Sequence, residues 1–230
     1  MRDEQQAKAV VGCDALAVPC GSGALKIEAV VFDVGETLVD ETRAWSVLAD
    51  RAGVTRLTLF ATLGALIERG EDHRRVWDAL GVERRTDPVA VEIGDLYPDA
   101  VRCLRSLRES GYRVGLAANQ PAGADTALRK LGLAVDFIAT SAGWGVEKPS
   151  PAFFDRVCAE VGVSAAQTAY VGDRLDNDVL PAKAAGMFAV FIKRGPWGHL
   201  HAHRPEVDQA DATIHSLDQL LPVIAAARRA

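Results

Sequence analysis

Val31-Phe32-Asp33-Val34-Gly35-Glu36-Thr37-Leu38 is the stretch from which the rest of the chain can be read. An apolar run over residues 27–32 ends abruptly on an acid, and a glycine, a second acid and a threonine follow. A short apolar run bounded in this way predicts a buried parallel strand, with the polar residues forming the turn at its C-terminal end. In open α/β sheets that end is where ligands bind. A carboxylate held there is a nucleophile, a metal ligand or a helix cap, and Asp33 alone does not distinguish among them.

Downstream, strands and helices alternate. Pro98 sits well at a helix start, Val101, Leu104 and Leu107 give that helix its apolar face, and Gly111 ends it. Residues 112–118 predict a strand, with Asn119-Gln120-Pro121 turning into a helix that runs to Leu131. A third strand is expected over residues 135–139, and Ser150-Pro151 opens a helix ending near Gly162. Residues 169–172 predict a fourth strand whose turn is Asp173-Arg174-Leu175-Asp176-Asn177-Asp178, and a helix then runs to Gly186. Residues 188–192 predict a fifth strand, residues 212–214 a sixth, and residues 217–228 a closing helix. This alternation predicts an α/β fold, a Rossmann-like, doubly wound parallel sheet with right-handed crossovers.

Residues 41–95 interrupt the pattern with a mostly helical insert. Trp45, Leu48 and Ala49 fall at helical spacing, Thr55 or Thr58 can cap a second helix with Leu59, Leu63, Leu66 and Ile67 on one face, and Gly81 stops a third segment carrying Val76, Trp77 and Leu80. The expected division is therefore a loose lead-in over residues 1–25, a core over residues 26–40 and 96–230, and a small helical domain over residues 41–95.

Composition narrows the function. The 230 residues are 49% hydrophobic and 25% charged, an ordinary globular balance. The net charge of −5 leaves no basic footprint for nucleic acid. No apolar run approaches the ~20 residues of a membrane helix, and the acidic opening Met1-Arg2-Asp3-Glu4-Gln5 lacks the apolar stretch of a signal peptide. Cys13, Cys20, Cys103 and Cys158 show no metal-binding spacing, so scattered thiols in a reducing cytoplasm are expected. The expected partner is a small molecule.

Once the sheet forms, four segments lie at C-terminal strand ends: Asp33 with its turn, Ala118-Asn119, Glu147-Lys148-Pro149, and Gly172-Asp173 through Asp178. Clustered acids raise one another's pKa unless a cation neutralises them. A few carboxylates with room for a phosphate suit Mg²⁺. One carboxylate then stays ionised and able to attack phosphorus, while Lys148 holds phosphoryl oxygens.

The arrangement resembles the haloacid dehalogenase-like (HAD) superfamily. That family's first motif is an apolar strand ending D-x-D-x-T, here Phe32-Asp33-Val34-Gly35-Glu36-Thr37. Its second is a Ser or Thr at a strand end, here Gly115-Leu116-Ala117-Ala118-Asn119. Its third is a lysine in G-x-x-K-P-x-P-x-x-F, here Gly145-Val146-Glu147-Lys148-Pro149-Ser150-Pro151-Ala152-Phe153-Phe154. Its fourth is G-D-x-x-x-x-D before a helix ending A-A-G-M, here Gly172-Asp173 through Asp178, then Ala184-Ala185-Gly186-Met187. The resemblance implies a Mg²⁺-dependent phosphatase acting on a small phosphorylated metabolite through an aspartyl-phosphate. It implies Asp33 as nucleophile and metal ligand, with the Gly35 carbonyl, Asp173 and Asp178 as further ligands. It also implies Lys148 as the phosphoryl clamp, the backbone of Ala118 and Asn119 as phosphate donors, and the insert as a cap that chooses the substrate.

Two positions depart from the pattern. Gly35 stands where the family's phosphatases carry a second Asp as general acid, a contribution typically worth ~10²–10⁴ in rate. Glu36 is adjacent but points to the other face of an extended turn, and Asp40 or Glu41 would have to be brought back by the insert. Ala118 replaces a hydroxyl whose hydrogen bond to a charged group is worth about 1.5–3 kcal/mol. The backbone N–H groups beside the expected Pro121 helix remain as an anion site.

Two other readings follow from these losses. Hydrolytic 2-haloacid dehalogenases share the missing acid, but need no metal and grip a carboxylate with a cap arginine, for which Arg43, Arg51, Arg56, Arg69 and Arg74 are candidates. A catalytically impaired metal- or phosphate-binding module would keep Asp33, Asp173 and Asp178 and lose turnover. Phosphonoacetaldehyde-type chemistry needs a cap lysine, and residues 41–95 contain none. The run His199-Leu200-His201-Ala202-His203 is expected in a solvated loop, Trp45 and Trp77 in the insert's core, and Trp144 beside the Lys148 loop, either lining the pocket or packing the loop down.

Overall fold

Ala29, Val30, Val31 and Phe32 are completely buried as strand β1 (Ala29–Phe32), which has neighbours on both sides. Its β-branched and aromatic residues fit a doubly covered strand. The computed structural model describes residues 26–83 and 88–227. The expected lead-in, with Cys13 and Cys20, lies outside the described residues.

After β1 come helices α1 (Thr42–Ala52), α2 (Arg56–Glu68) and α3 (Val76–Ala79). The alternating part follows as α4 (Ala100–Glu109), β2 (Arg113–Ala118), α5 (Ala124–Lys130), β3 (Phe137–Thr140), α6 (Ser141–Trp144) and α7 (Pro151–Val161). It continues with β4 (Thr168–Gly172), α8 (Leu180–Ala184), β5 (Phe188–Ile192), α9 (Gly195–His201), β6 (Ala212–Ile214) and α10 (Leu220–Ala227). All strand pairs are parallel, and the six-stranded order is β3-β2-β1-β4-β5-β6. This is the predicted α/β, Rossmann-like sheet.

The order reverses about β1. The chain goes from β1 to β2 on one side and later returns to β4 on the other. The residues just past β1 and β4, Asp33 and Asp173, therefore flank the switch point where a crevice opens. Strand periodicity divides the core. Val30 and Phe32 pack in one cluster with Leu104, Leu107, Leu220 and Ile224 of α4 and α10. Ala29 and Val31 pack in the other with Phe153, Phe154, Val157 and Ala182 of α7 and α8. Phe32 and Phe153 have no exposed surface, and complete burial of such a side chain contributes ~1.5–3 kcal/mol.

The helices between β1 and β2 have an apolar cluster of their own, in which Leu59, Leu63, Leu66 and Ile67 of α2 meet Ala49, Val76 and Trp77. Thr55 caps α2, its hydroxyl accepting from Thr58 N–H. Trp197 of α9 joins this cluster, and Arg204 Nη2 donates to Ile67 O at 3.1 Å, so the helices are tied to the sheet domain by more than their two connections.

Three local expectations are corrected. The helix after β2 begins at Ala124, because Gly123 adopts φ 84° in the left-handed region and interrupts any run from Pro121. The segment around Asp178 is one wide π-type turn, Leu175–Val179, before α8. The histidine run lies in and just after α9, with Pro196 in its first turn, and His201 is buried.

Candidate active site

The site is built on strand ends. Asp33 N–H donates to Val171 O at 2.9 Å, which locks the first residue past β1 against β4. Asp173 follows β4 directly and is 1% exposed. Asp178 returns to the same place because the wide turn folds it over Gly172. A Cβ on Gly172 would lie 2.5 Å from Asp178 Cβ, Cγ and Oδ2, so only glycine admits this approach. One carboxylate oxygen from each of Asp33, Asp173 and Asp178 lies within 4.8 Å of the others.

Lys148 enters from the loop after α6. Its Nζ donates to Asp33 Oδ1 at 2.6 Å and to Asp178 Oδ1 at 2.5 Å. Burial alone would push the ammonium's pKa down, but the Asp178 and Asp33 carboxylates outweigh it and hold the group charged, well above the ordinary lysine value. Asn119 fixes the lysine's backbone through both polar atoms of its side-chain amide: Lys148 N–H donates to Asn119 Oδ1 at 2.8 Å, and Asn119 Nδ2 donates to Lys148 O at 2.9 Å. Ala118 is buried in the strand, and Asn119 lines the cavity. The sequence offered no signal for the Asn119 clamp, since its partner is 29 residues away.

The remaining acid balance is unfavourable without a cation. Asp173 Oδ2 is buried and has no hydrogen-bond partner. Burial, then the Asp178 and Asp33 charges, push the Asp173 carboxyl far above the usual carboxylate range. Asp178 is pushed up to about 6 by burial, against the pull of Lys148. Three converging carboxylates, one of which carries an unpartnered oxygen, fit a hard divalent cation.

Residues 35–41 form a tight return. Glu36 has φ 53° and is 6% exposed. Its Oε2 accepts from Tyr97 O–H at 2.6 Å and its Oε1 from Glu41 N–H at 3.0 Å, so both oxygens are engaged in holding the turn. Asp40 Oδ1 accepts from Thr42 N–H at 2.8 Å, at the start of α1. Glu41 turns inward. Its Oε1 lies 2.6 Å, and its Cδ 2.9 Å, from the Cβ that a side chain on Gly35 would carry. Trp45 Nε1 donates to its Oε2 at 3.2 Å. Burial, then the Glu36 charge, raise the Glu41 carboxyl to about 7.

These groups open on one cavity of about 1090 Å³, lined by Asp33, Gly35, Glu41, Asn119, Lys148 and Asp173 on its floor. Trp45, His73, Trp77, Arg74 and Trp197 also face it. Trp45 and Trp77 stack with ring centres 6.3 Å apart, and His73 meets Trp197 edge-on at 5.1 Å. Trp144 packs on Phe153 at 5.2 Å and steadies the Lys148 loop. Of the insert's arginines, Arg43 pairs with Asp95, Arg56 with Asp50, Arg69 with Glu71 and Arg74 with Asp72.

The doubly wound parallel sheet thus carries a buried acid–lysine centre at its switch point, the place where open α/β sheets bind their ligands. The haloacid dehalogenase-like hydrolase family matches residues 27–186. The chain belongs to that family and is a hydrolase. It is 33% identical over 227 residues to a glyceraldehyde 3-phosphate phosphatase of Methanopyrus kandleri, covering 86% of this chain and 97% of the relative. It is 25% identical over 224 residues to a phosphoglycolate phosphatase of Vibrio vulnificus, covering 86% and 96%. Among solved structures it resembles a magnesium-bound putative HAD-hydrolase of Bacillus subtilis, with a TM-score of 0.66 at 17% identity over 86% of this chain and 99% of that one. An L-2-haloacid dehalogenase of Xanthobacter autotrophicus gives a TM-score of 0.61 at 20% identity over 86% and 98%. At these identities the structural likeness is one of fold.

Proposed function

We propose that this hydrolase is a Mg²⁺-dependent phosphatase that acts on a small phosphorylated metabolite through a phosphoryl-Asp33 intermediate. The observation that carries this reading is the Asp33 carboxylate itself. It faces the cavity, is paired to Lys148 at 2.6 Å, and stands beside two buried acids, one with an unpartnered oxygen. The phosphatase names of relatives that align over most of their length support the same substrate class.

In this reading Asp33, Asp173, Asp178 and the Gly35 carbonyl would hold Mg²⁺. When bound, the ion neutralises the acid cluster and withdraws charge from the phosphoryl oxygens. One Asp33 oxygen attacks phosphorus in line with the leaving oxygen, and the P–O bond to the leaving group breaks. Lys148 holds the phosphoryl oxygens as their charge develops. Asn119 holds the lysine's backbone in place, and the N–H groups at the end of β2 face the same phosphate. Water then attacks the same phosphorus, which releases inorganic phosphate and restores the Asp33 carboxylate.

Residues 26–40 and 96–230 form the core unit, and residues 41–95 act as the cap that selects the metabolite. A small phosphorylated metabolite fits a cytoplasmic enzyme. Four of the five arginines weighed for a dehalogenase's grip on the substrate carboxylate, Arg43, Arg56, Arg69 and Arg74, are paired to acids, which supports phosphoryl transfer over dehalogenation.

The test is hydrolysis of acetyl phosphate, glyceraldehyde 3-phosphate and 2-phosphoglycolate, with Mg²⁺ and with EDTA, by the wild type and Asp33→Asn. Mg²⁺-dependent turnover that Asp33→Asn abolishes is expected. Silence on all three, with halide released from 2-chloropropionate in EDTA, would replace this reading with a dehalogenase. Silence in both assays would leave a binding module.

A further inference from the structure

We infer that Glu41 is the catalytic acid–base of this site, its carboxyl standing in for the side chain that Gly35 lacks. The inference rests on the phosphatase reading above. Expulsion of an alkoxide from phosphorus needs a proton on the leaving oxygen, and the group that donates it must share the cavity with the nucleophile.

Three acids lie close to Asp33 in sequence, and their positions separate them. Glu36 spends both carboxylate oxygens on Tyr97 and on the Glu41 backbone. Asp40 Oδ1 is engaged at the start of α1. Glu36 and Glu41 both line the cavity, but it is the Glu41 carboxyl that comes nearest the space beside Gly35, with Oε1 2.6 Å and Cδ 2.9 Å from where a Cβ there would be. Gly35 is not in the left-handed region, so its backbone would accept a side chain; the Glu41 carboxyl already fills that volume. A glycine at 35 and a glutamate at 41 are thus two halves of one arrangement.

The surrounding contacts aim the carboxyl. Glu36 holds the Glu41 N–H at 3.0 Å, and Trp45 Nε1, one helical turn on, holds Oε2 at 3.2 Å. Oε1 is left on the Gly35 side, and both residues line the cavity with Asp33. In the first step the Asp33 oxygen bonds to phosphorus, the P–O bond to the leaving group breaks, and the Glu41 carboxyl gives its proton to the departing oxygen. In the second, the Glu41 carboxylate takes a proton from water as that oxygen bonds to phosphorus. The P–O bond to Asp33 breaks, phosphate leaves, and both carboxyl groups return to their starting states.

The test compares leaving groups in the first turnover, so that chemistry at the leaving oxygen is read apart from dephosphorylation. Rapid-quench product release is measured with glyceraldehyde 3-phosphate, an alkyl ester, and with 4-nitrophenyl phosphate, an aryl ester. Glu41→Gln is expected to slow release from the alkyl ester ~10²–10⁴-fold and from the aryl ester only a few-fold. With the aryl ester, whose first step is little slowed, it should also accumulate phosphoenzyme, since water is no longer activated. Gly35→Asp/Glu41→Ala, which moves the carboxyl to residue 35 and clears its space, is expected to release the alkyl product at least ~10-fold faster than Glu41→Ala. This second pair keeps the test decisive if Glu41→Gln does not fold. Equal losses on the two esters, or no loss on the alkyl ester, would overturn the assignment while leaving the phosphatase reading intact. A wild type inert on both esters would overturn the two together.

Discussion

The Lys148 ammonium lies 2.6 Å from Asp33 Oδ1, joining a loop residue to a strand-end acid across 115 positions of sequence. It also meets Asp178 and is almost wholly buried, so it is the counter-charge of the acid cluster and, in the phosphatase reading proposed above, a cation at the nucleophile.

Lys148→Met should therefore damage stability and turnover together. Breaking a buried pair by removing one partner costs ~3–5 kcal/mol, and losing a preorganised donor to developing charge costs ~10²–10³ in rate. Urea unfolding in EDTA and first-turnover kinetics in Mg²⁺ measure the two effects. A variant as stable and as fast as the wild type would contradict the role given to the lysine.

Asp173→Asn should have the opposite balance. It replaces a buried carboxyl whose ionisation the cluster opposes, and whose Oδ2 has no partner, so the metal-free protein should be at least as stable as the wild type. The wild type should gain about 2.7 kcal/mol when Mg²⁺ is present at ~100 times its Kd, and the variant should gain far less. Thermal melts in EDTA and across a Mg²⁺ series read both. An undiminished Mg²⁺ shift in Asp173→Asn would remove this residue from the ligand set.

Asn119→Ala cuts both hydrogen bonds to the Lys148 backbone. A loss of about 1–3 kcal/mol is expected, with turnover falling on the order of 10-fold as the ammonium loses its fixed position. The Mg²⁺-induced melt shift should survive, because the Asn119 side-chain amide is engaged with the Lys148 backbone and is not part of the three-acid cluster. Loss of that shift would mean the clamp supports the metal site itself.

His201 gives the protein an acid-sensitive component. Its Nδ1 accepts from Leu175 N–H at 3.1 Å and so must be unprotonated. Burial lowers its pKa from 6.5 to about 4. Because the folded value is the lower one, the unfolded chain binds the proton first. The contribution is present above pH 6.5 and is lost as pH falls toward 4, with ~3 kcal/mol as its upper size. His201→Gln keeps an acceptor for Leu175 but cannot titrate. Urea unfolding between pH 7 and 5 should fall less steeply for the variant, and parallel slopes would contradict the assignment.

Much of the site was legible because its residues are punctuated locally. A strand that stops on Asp33, and Gly172-Asp173 followed by Asp178, each combine an apolar run with a turn that needs particular residue types. Glu41 was harder to read. Its return to Gly35 depends on how the chain loops through Glu36 and Tyr97, a contact spanning 61 positions, and no local pattern encodes it. Asn119 read as a phosphate neighbour by position, whereas its side-chain amide is engaged with the Lys148 backbone. The histidine run misled for a different reason. Period-two polar residues after Pro196-Trp197-Gly198 suggest a loop, but Pro196 sits in the first turn of α9, and packing buries one histidine of the run.

The central claim is that Asp33 becomes phosphorylated. The most direct measurement is peptide mass spectrometry of protein quenched within milliseconds of mixing with acetyl phosphate and Mg²⁺. One added phosphoryl group on the peptide containing Asp33, absent in EDTA and in Asp33→Asn, is the predicted result. Phosphate released with no modified Asp33 peptide at any quench time, or the same modification in Asp33→Asn, would contradict the account.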